Sequence, residues 1–258
     1  MKKWSSNLVL FLVFAFLYLP ILVLIVFSFN DSKLNILFEG FTLKWYMELF
    51  SNRTLLEAFK NTFIVAISST LISVVVGTIS AIGLYKFDFK LKGIINRLLY
   101  IPIVLPDIVL GISLLAIYTL MKLSLGMFTL ILAHVAFSIP YVIVSVRSTL
   151  ESMNPYLEEA SSDLGASPIQ TFFRVTLPSI VPGILSGGML AFTLSMDDVV
   201  ISYFTAGPNA NTLPQHIYSM IKSGITPDVN ALFSLMLGIT FIGVSIYVID
   251  LFKRKVNV

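Results

Sequence analysis

LVLFLVFAFLYLPILVLIVFSF, residues 8–29, decides the class of fold. The run holds no charged residue, and about 20 apolar residues in a helix cross a bilayer core about 30 Å thick. It follows Lys2 and Lys3, as in a signal peptide, yet it exceeds the roughly 7–15 residue apolar region of such peptides and lacks a small-residue cleavage site. It is therefore expected to stay as a helix. Working outward, five further runs meet the same test, at residues 62–85, 98–121, 123–146, 179–204 and 229–249. Their only acidic or basic residues are Asp107 in the third and Asp197 and Asp198 in the fifth, while the fourth holds His134. Membrane β-strands are about 10 residues long and alternate strictly, whereas these runs are continuously apolar. The expectation is an all-α membrane protein of six transmembrane helices, a single transmembrane domain over residues 1–258.

Composition agrees. Of the 258 residues 57% are hydrophobic and 12% charged, about half the roughly 25% usual in soluble domains. The mean hydropathy is +0.91. Seventeen Lys and Arg against fourteen Asp and Glu leave a net charge of +3, too small an excess to suggest a nucleic-acid partner. Cysteine is absent, which excludes disulfides, thiolate metal sites and cysteine nucleophiles, and two histidines make no multi-histidine metal site.

Basic residues set the expected orientation. The N-terminus, the second-to-third connection, the fourth-to-fifth connection and the tail together hold eleven: Lys2, Lys3, Lys86, Lys90, Lys92, Arg97, Arg147, Arg174, Lys253, Arg254 and Lys255. The other side has six: Lys33, Lys44, Arg53, Lys60, Lys122 and Lys222. Both termini are expected in the cytoplasm. The first outer connection should contain an amphipathic stretch around residues 41–59.

The connection at residues 147–178 is long and not basic. Within it, Pro155 suits a first helical turn, residues 156–164 read as a short helix, and Gly165 can take the left-handed closing conformation. Ser167-Pro168 then starts a second helix, which Leu177-Pro178 is expected to end before the fifth span. Such an element either packs against its own helices or docks a cytoplasmic partner.

Glu159-Ala160-Ser161, then Gly165 three residues on, then Val175-Thr176-Leu177-Pro178 after nine more, is similar to the EAA signature of permease subunits of bacterial ABC importers. Ser161 stands for the family's second Ala and Val175 for its Ile. Asp163-Leu164-Gly165-Ala166-Ser167 matches the extended version. Within the family the chain most resembles the second permeases of spermidine/putrescine importers. Ser28-Phe29-Asn30, Gly40-Phe41-Thr42, Lys44-Trp45-Tyr46, Pro106-Asp107-Ile108-Val109, FTLSMDDVV at 192–200 and PDVNA at 227–231 carry that likeness along nearly the whole chain.

The resemblance implies the type I ABC importer permease fold in a bacterial cytoplasmic (inner) membrane. It implies polyamine transport, or else another small cationic cargo, with a homologous permease subunit, two cytoplasmic ATP-binding subunits and an extracytoplasmic polyamine-binding protein as partners. Glu159, Ala160, Ser161, Asp163, Gly165, Ala166, Leu177 and Pro178 would form the ATPase-coupling loop. The chain itself would bind no cofactor, ATP and Mg being used by the partner ATPase. A different class, an ATP-independent secondary transporter with acidic relays, is separated by that signature.

Acidic residues inside membrane helices cost roughly 2.5–3.5 kcal/mol on insertion scales and face interiors or wet cavities. Counted at 1.5 Å per residue, Asp107 lies near mid-depth of the third span and Asp197 and Asp198 in the outer half of the fifth. Positions 187, 191, 195, 198, 202 and 205 form a small, polar stripe that includes Asp198, with Asp197 about 100° away. These three residues are candidates for a substrate path, with helix–helix hydrogen bonding as the alternative. His134 reads as a buried histidine bonded to a neighbouring helix. Leu185-Ser186-Gly187-Gly188 copies the start of a nucleotide-binding signature, but it lies in a span, and no G-x-x-x-x-G-K-[ST] loop occurs. Close packing explains these glycines, and the same is expected of Gly238 and Gly243. No catalytic constellation is present, so no enzyme activity is expected of the chain itself.

Overall fold

A computed structural model describes residues 2–32, 37–220 and 226–256, with the side chains of 2–6, 247, 248 and 250–256 left aside. Lys33 and Lys222 of the orientation count fall outside these residues, as do the side chains of Lys2, Lys3, Asp250, Lys253, Arg254 and Lys255. The described chain is helical apart from turns and one isolated bridge between Asn30 and Phe41. Five helices are long and apolar enough to cross a membrane, and a sharply bent pair makes up to six.

The chain divides into two compact units, residues 1–56 with 219–258, and 57–218. In the first, α1 (Lys2–Phe27) and α13 (Pro227–Val256) pack together, and the short α2 (Lys44–Ser51) lies on α13. The expected amphipathic stretch is α2, which buries Trp45 and Leu49. The Trp45 indole donates to the Asn30 carbonyl at 2.5 Å, and Lys44 pairs with Asp31. Asn52 donates to the buried Asp228 at 2.7 Å, tying the end of α2 to the start of α13. Among the described residues nothing approaches Gly238 or Gly243 closely: a Cβ at either would meet nothing there. Almost every side chain of α1 from Leu8 to Val26 is exposed, as expected of a lipid-facing surface.

The second unit contains α3 from residue 57 onward (Arg53–Lys86), α4 (Lys92–Leu98), α5 (Ile101–Val104), α6 (Asp107–Leu120), α7 (Met127–Ser152), α8 (Tyr156–Asp163), α9 (Pro168–Thr171), α10 (Leu177–Asp197), α11 (Val200–Thr205) and α12 (Leu213–Ser219). Its core joins Ala81 and Leu84 of α3, Val142, Val146 and Leu150 of α7, and Ile180 and Ala191 of α10. Lipid offers no apolar driving force between helices, so close approach through small residues carries much of this association. Gly187 permits it: a Cβ there would sit 3.0 Å from Val142 Cα and 3.2 Å from Ser145 Cβ. Gly187→Val is therefore expected to cost about 1–3 kcal/mol through overpacking, seen as a lower Tm of the purified protein. Gly93→Ala, in α4 where a Cβ meets nothing, is the control and should not lower Tm.

Four expected helix bounds need correction. The third span is not one helix: α5 and α6 meet at Leu105-Pro106, where both residues are extended (ψ 140° and 137°), and the helices bend by 112°. Proline disfavours helical geometry in the residue before it and has no N–H to continue the ladder. The fifth run is likewise cut at Asp198 (ψ 125°), between α10 and α11. The fourth helix runs on to Ser152, because nothing breaks it and Arg147 pairs with Glu151 one turn along at 2.8 Å. Finally, Leu177-Pro178 does not stop the second loop helix. A π turn, Phe172–Thr176, carries α9 into α10, with the Leu177 N–H donating to the Phe172 carbonyl. The wider turn gives room where proline's ring would crowd the carbonyl four residues back.

Candidate functional site

The two breaks meet. Asp107 is the first residue of α6, Asp197 the last of α10, and Asp198 the residue at the gap before α11. All three line one cavity of about 310 Å³ with Phe137 and Tyr141 of α7 and Thr193 of α10. A continuous fifth helix would turn Asp197 and Asp198 apart by about 100°, and a straight third helix would hold Asp107 at another depth. The extended residues at each gap cancel both effects. Sequence reasoning therefore singled out the three carboxylates but missed their convergence, and it missed Tyr141 and Phe137. His134, Phe137 and Tyr141 share one face of α7 at i, i+3 and i+7, and that spacing was the available signal.

The three carboxylates differ. Asp107 and Asp197 are exposed, whereas the Asp198 side chain is 8% exposed. Asp198 caps α11: its oxygens accept the amides of Ile201 at 3.2 Å and Ser202 at 2.7 Å and the Ser202 hydroxyl at 2.6 Å. Helix starts leave such amides unpaired, and in lipid each one is costly. His134, fully buried, lies between Ser195 at 2.6 Å and Ser202 at 3.0 Å, with Asp198 at 3.5 Å. The cavity thus presents two open carboxylates and one that is held, beside aromatic faces that attract cations.

The loop between α7 and α10 is the second candidate surface. Asn154 accepts the Tyr156 amide at the start of α8. At its end Gly165, at φ +84°, closes the helix with two bonds, from its own N–H to Ser162 at 2.9 Å and from Ala166 to Ser161 at 3.1 Å. Ser167 and Gln170 cap α9 reciprocally, and Ser161 meets Thr171 at 3.0 Å, pinning the two helices together. Glu159, Ala160, Asp163 and Gly165 are exposed, Ser161, Ala166 and Leu177 half-buried, and Pro178 is exposed at the base. Tyr156, Leu164, Ile169 and Phe173 are exposed apolar side chains on this polar loop.

Glu158, which sequence reasoning passed over, anchors the loop. It pairs with Lys86 at the end of α3 at 2.8 Å and accepts from the buried Thr176 at 2.5 Å. Partial burial works to raise the Glu158 carboxyl, but Lys86 and Thr176 outweigh it and hold it below the usual carboxylate range. A depressed value stabilises fully above the ordinary Glu value of about 4.3 and is lost as pH falls through the lowered one. Lys86→Met should cost no more than about 1 kcal/mol. That would speed amide hydrogen exchange over residues 156–163 by up to about fivefold. In the native chain the same acceleration, corrected for intrinsic rates, should begin only in that acid window.

Apolar helices enclosing a carboxylate-lined cavity, with a polar helix–turn–helix loop at the base of the fifth span, are the build of a membrane transport component. The chain belongs to the family of binding-protein-dependent transport system inner membrane components, whose pattern matches residues 73–257. It is 40% identical over 230 residues to the spermidine/putrescine transport system permease protein PotC of Escherichia coli (strain K12), covering 89% of this chain and 87% of that one. It is also 40% identical to the putrescine transport system permease protein PotI of the same organism, over 89% of this chain and 84% of that one. Among solved structures it is similar to a bacterial ABC transporter involved in import of the acidic polysaccharide alginate, with a TM-score of 0.73, 12% identity and 95% of each chain covered. The MetNI methionine ABC transporter aligns with a TM-score of 0.58 at 21% identity, over 78% of this chain and 95% of that one. At these identities the structural likeness concerns the fold.

Proposed function

We propose that this chain is the membrane-spanning permease subunit of an ATP-driven ABC importer that carries polyamines, spermidine or putrescine, across a bacterial cytoplasmic membrane. The observation that carries the reading is the convergence of Asp107, Asp197 and Asp198 on one cavity. Carboxylates make charge-assisted hydrogen bonds to ammonium groups, and Phe137 and Tyr141 offer apolar faces to the methylenes between them. The names of the 40% identical relatives point to the same cargo.

In this reading residues 1–258 act as one permease domain with six spans, the bent α5–α6 pair forming one of them, and both termini are cytoplasmic. A homologous permease subunit completes the pore. An extracytoplasmic binding protein delivers the cargo, and two ATP-binding subunits dock on the permease pair, with the loop of α8 and α9 as this chain's docking element. Glu159, Ala160, Ser161, Asp163, Gly165, Ala166, Leu177 and Pro178 form that coupling surface. The chain has no nucleotide site of its own, and ATP with Mg is consumed by the partners. Their closure would move the loop and switch the cavity between outward and inward access.

The test is uptake of labelled spermidine and putrescine into vesicles holding the whole complex. Accumulation should require ATP inside and fall when unlabelled polyamine competes. Uptake without ATP would mark a secondary transporter, and ATP-driven uptake indifferent to polyamines would mark another cargo.

A further inference from the structure

Four side chains approach Asp198 in sequence, each from a different place in the fold. Ser69 of α3 lies 3.2 Å from Ser195 of α10, Ser195 lies 2.6 Å from His134 Nδ1 on α7, and His134 Nε2 lies 3.0 Å from Ser202 of α11. Ser202 reaches Asp198 Oδ2 at 2.6 Å. Ser69, His134 and Ser202 are fully buried and Ser195 nearly so, so their protons must find acceptors within the protein, in the series itself or, for Ser69, also at the Ala66 carbonyl at 3.3 Å.

That requirement fixes a direction. An ionised carboxylate only accepts, and a hydroxyl has one proton to give. Oδ2 already takes the Ser202 amide at 2.7 Å, and the Ser202 hydroxyl gives its proton to the same oxygen. Ser202 Oγ can then offer His134 only a lone pair, so Nε2 carries the ring proton. In the neutral ring Nδ1 is then bare and accepts from Ser195, while Ser69 can give its proton to Ser195 or to the Ala66 carbonyl. The opposite polarity would put a proton on Oδ2, an oxygen that already accepts an amide.

We propose that His134 is a positioning residue for transport. As the neutral Nε2–H tautomer it forms the middle of a directed relay, Ser69 to Ser195 to His134 to Ser202 to Asp198. The relay holds Asp198 as an anion across the cut in the fifth span and fixes the wall against which Asp107 and Asp197 meet the cargo. The tautomer is assigned by the hydrogen-bond network. The transport role rests on the cavity being the cargo's path; the tautomer does not.

Gln and Asn separate a positioning role from mere filling. A Gln side chain can put its amide N–H near the place of Nε2 and still serve Ser202, whereas Asn is one methylene shorter and leaves Ser202 without a donor. In the assembled complex, His134→Gln should keep uptake within about threefold of the native maximal rate. His134→Asn should lower it by about tenfold or more, the cost of leaving a buried polar group without its partner. The half-saturating polyamine concentration and ATPase association should not change in either variant. In parallel, nitrogen-15 histidine spectra of the native complex minus those of His134→Gln should isolate one ring with Nε2 protonated and Nδ1 bare.

An imidazolium signal, or the reverse tautomer, overturns the relay. Native uptake by His134→Asn, or failure of both variants to assemble, overturns the positioning role. If the tautomer is as stated but Asp107→Asn with Asp197→Asn imports at the full rate, the cargo path fails, and with it the positioning role for transport.

Discussion

Asp107→Asn and Asp197→Asn together are expected to reduce ATP-driven polyamine uptake by about a hundredfold, with the complex still assembling. Both carboxylates are exposed on the cavity wall, one at the start of α6 and the other at the end of α10. A charge-assisted hydrogen bond contributes about 1.5–3 kcal/mol, so each loss is worth roughly tenfold or more. Asn nearly preserves volume and removes only the charge. Each single change should therefore give an intermediate rate, and the double should approach their product. Asp198→Asn should behave differently. Asn still caps a helix, but its amide nitrogen cannot accept the Ser202 hydroxyl, so part of its effect should appear as a lower Tm. Uptake rates in reconstituted vesicles, with Tm measured on the same preparations, decide the matter. A double variant that transports at the native rate would remove the cavity from the cargo's route.

Gly165→Pro is expected to release the ATPase and lower uptake by at least about tenfold while membrane insertion is retained. The position sits at φ +84°, which proline, locked near −65°, cannot reach. Proline also deletes the N–H that bonds Ser162. A Cβ at this site would touch nothing, so other substitutions are penalised by backbone conformation alone. Left-handed geometry costs an ordinary residue about 1–2 kcal/mol, least for Asn and most for β-branched side chains. The series should then run Asn mild, Val worse, Pro worst, in ATPase pull-down and in uptake alike. Pull-down of the ATPase at native levels by Gly165→Pro would contradict the docking role of the loop.

The sequence made the helices of this fold legible because a membrane span announces itself by length and apolarity. The α8–Gly165–α9 loop was equally plain, since Pro155, Gly165 and Ser167-Pro168 are local signals. The breaks were not. Pro106 stood in view, but an uninterrupted apolar run around it reads as one helix. At Asp198 neither glycine nor proline marks the gap, and what cuts the helix is a side chain competing for its own backbone amides. Depth counted along ideal helices therefore spread the three carboxylates apart, although three extended residues, Leu105, Pro106 and Asp198, suffice to gather them. Glu158 was hidden for another reason: its partners Lys86 and Thr176 are distant in sequence.

The π turn at Phe172–Thr176 contains one residue more than an α-helix of the same rise would use. Removing a single residue there would close the turn to α-helical pitch and rotate everything before it by about 100° around the axis of α10. Length at this joint thus acts as a phase angle. The chain would stay connected and inserted, yet the loop would offer a different side to whatever docks on it. A coupling loop grafted from another permease will keep its docking face only if the number of residues between Gly165 and Pro178 is preserved.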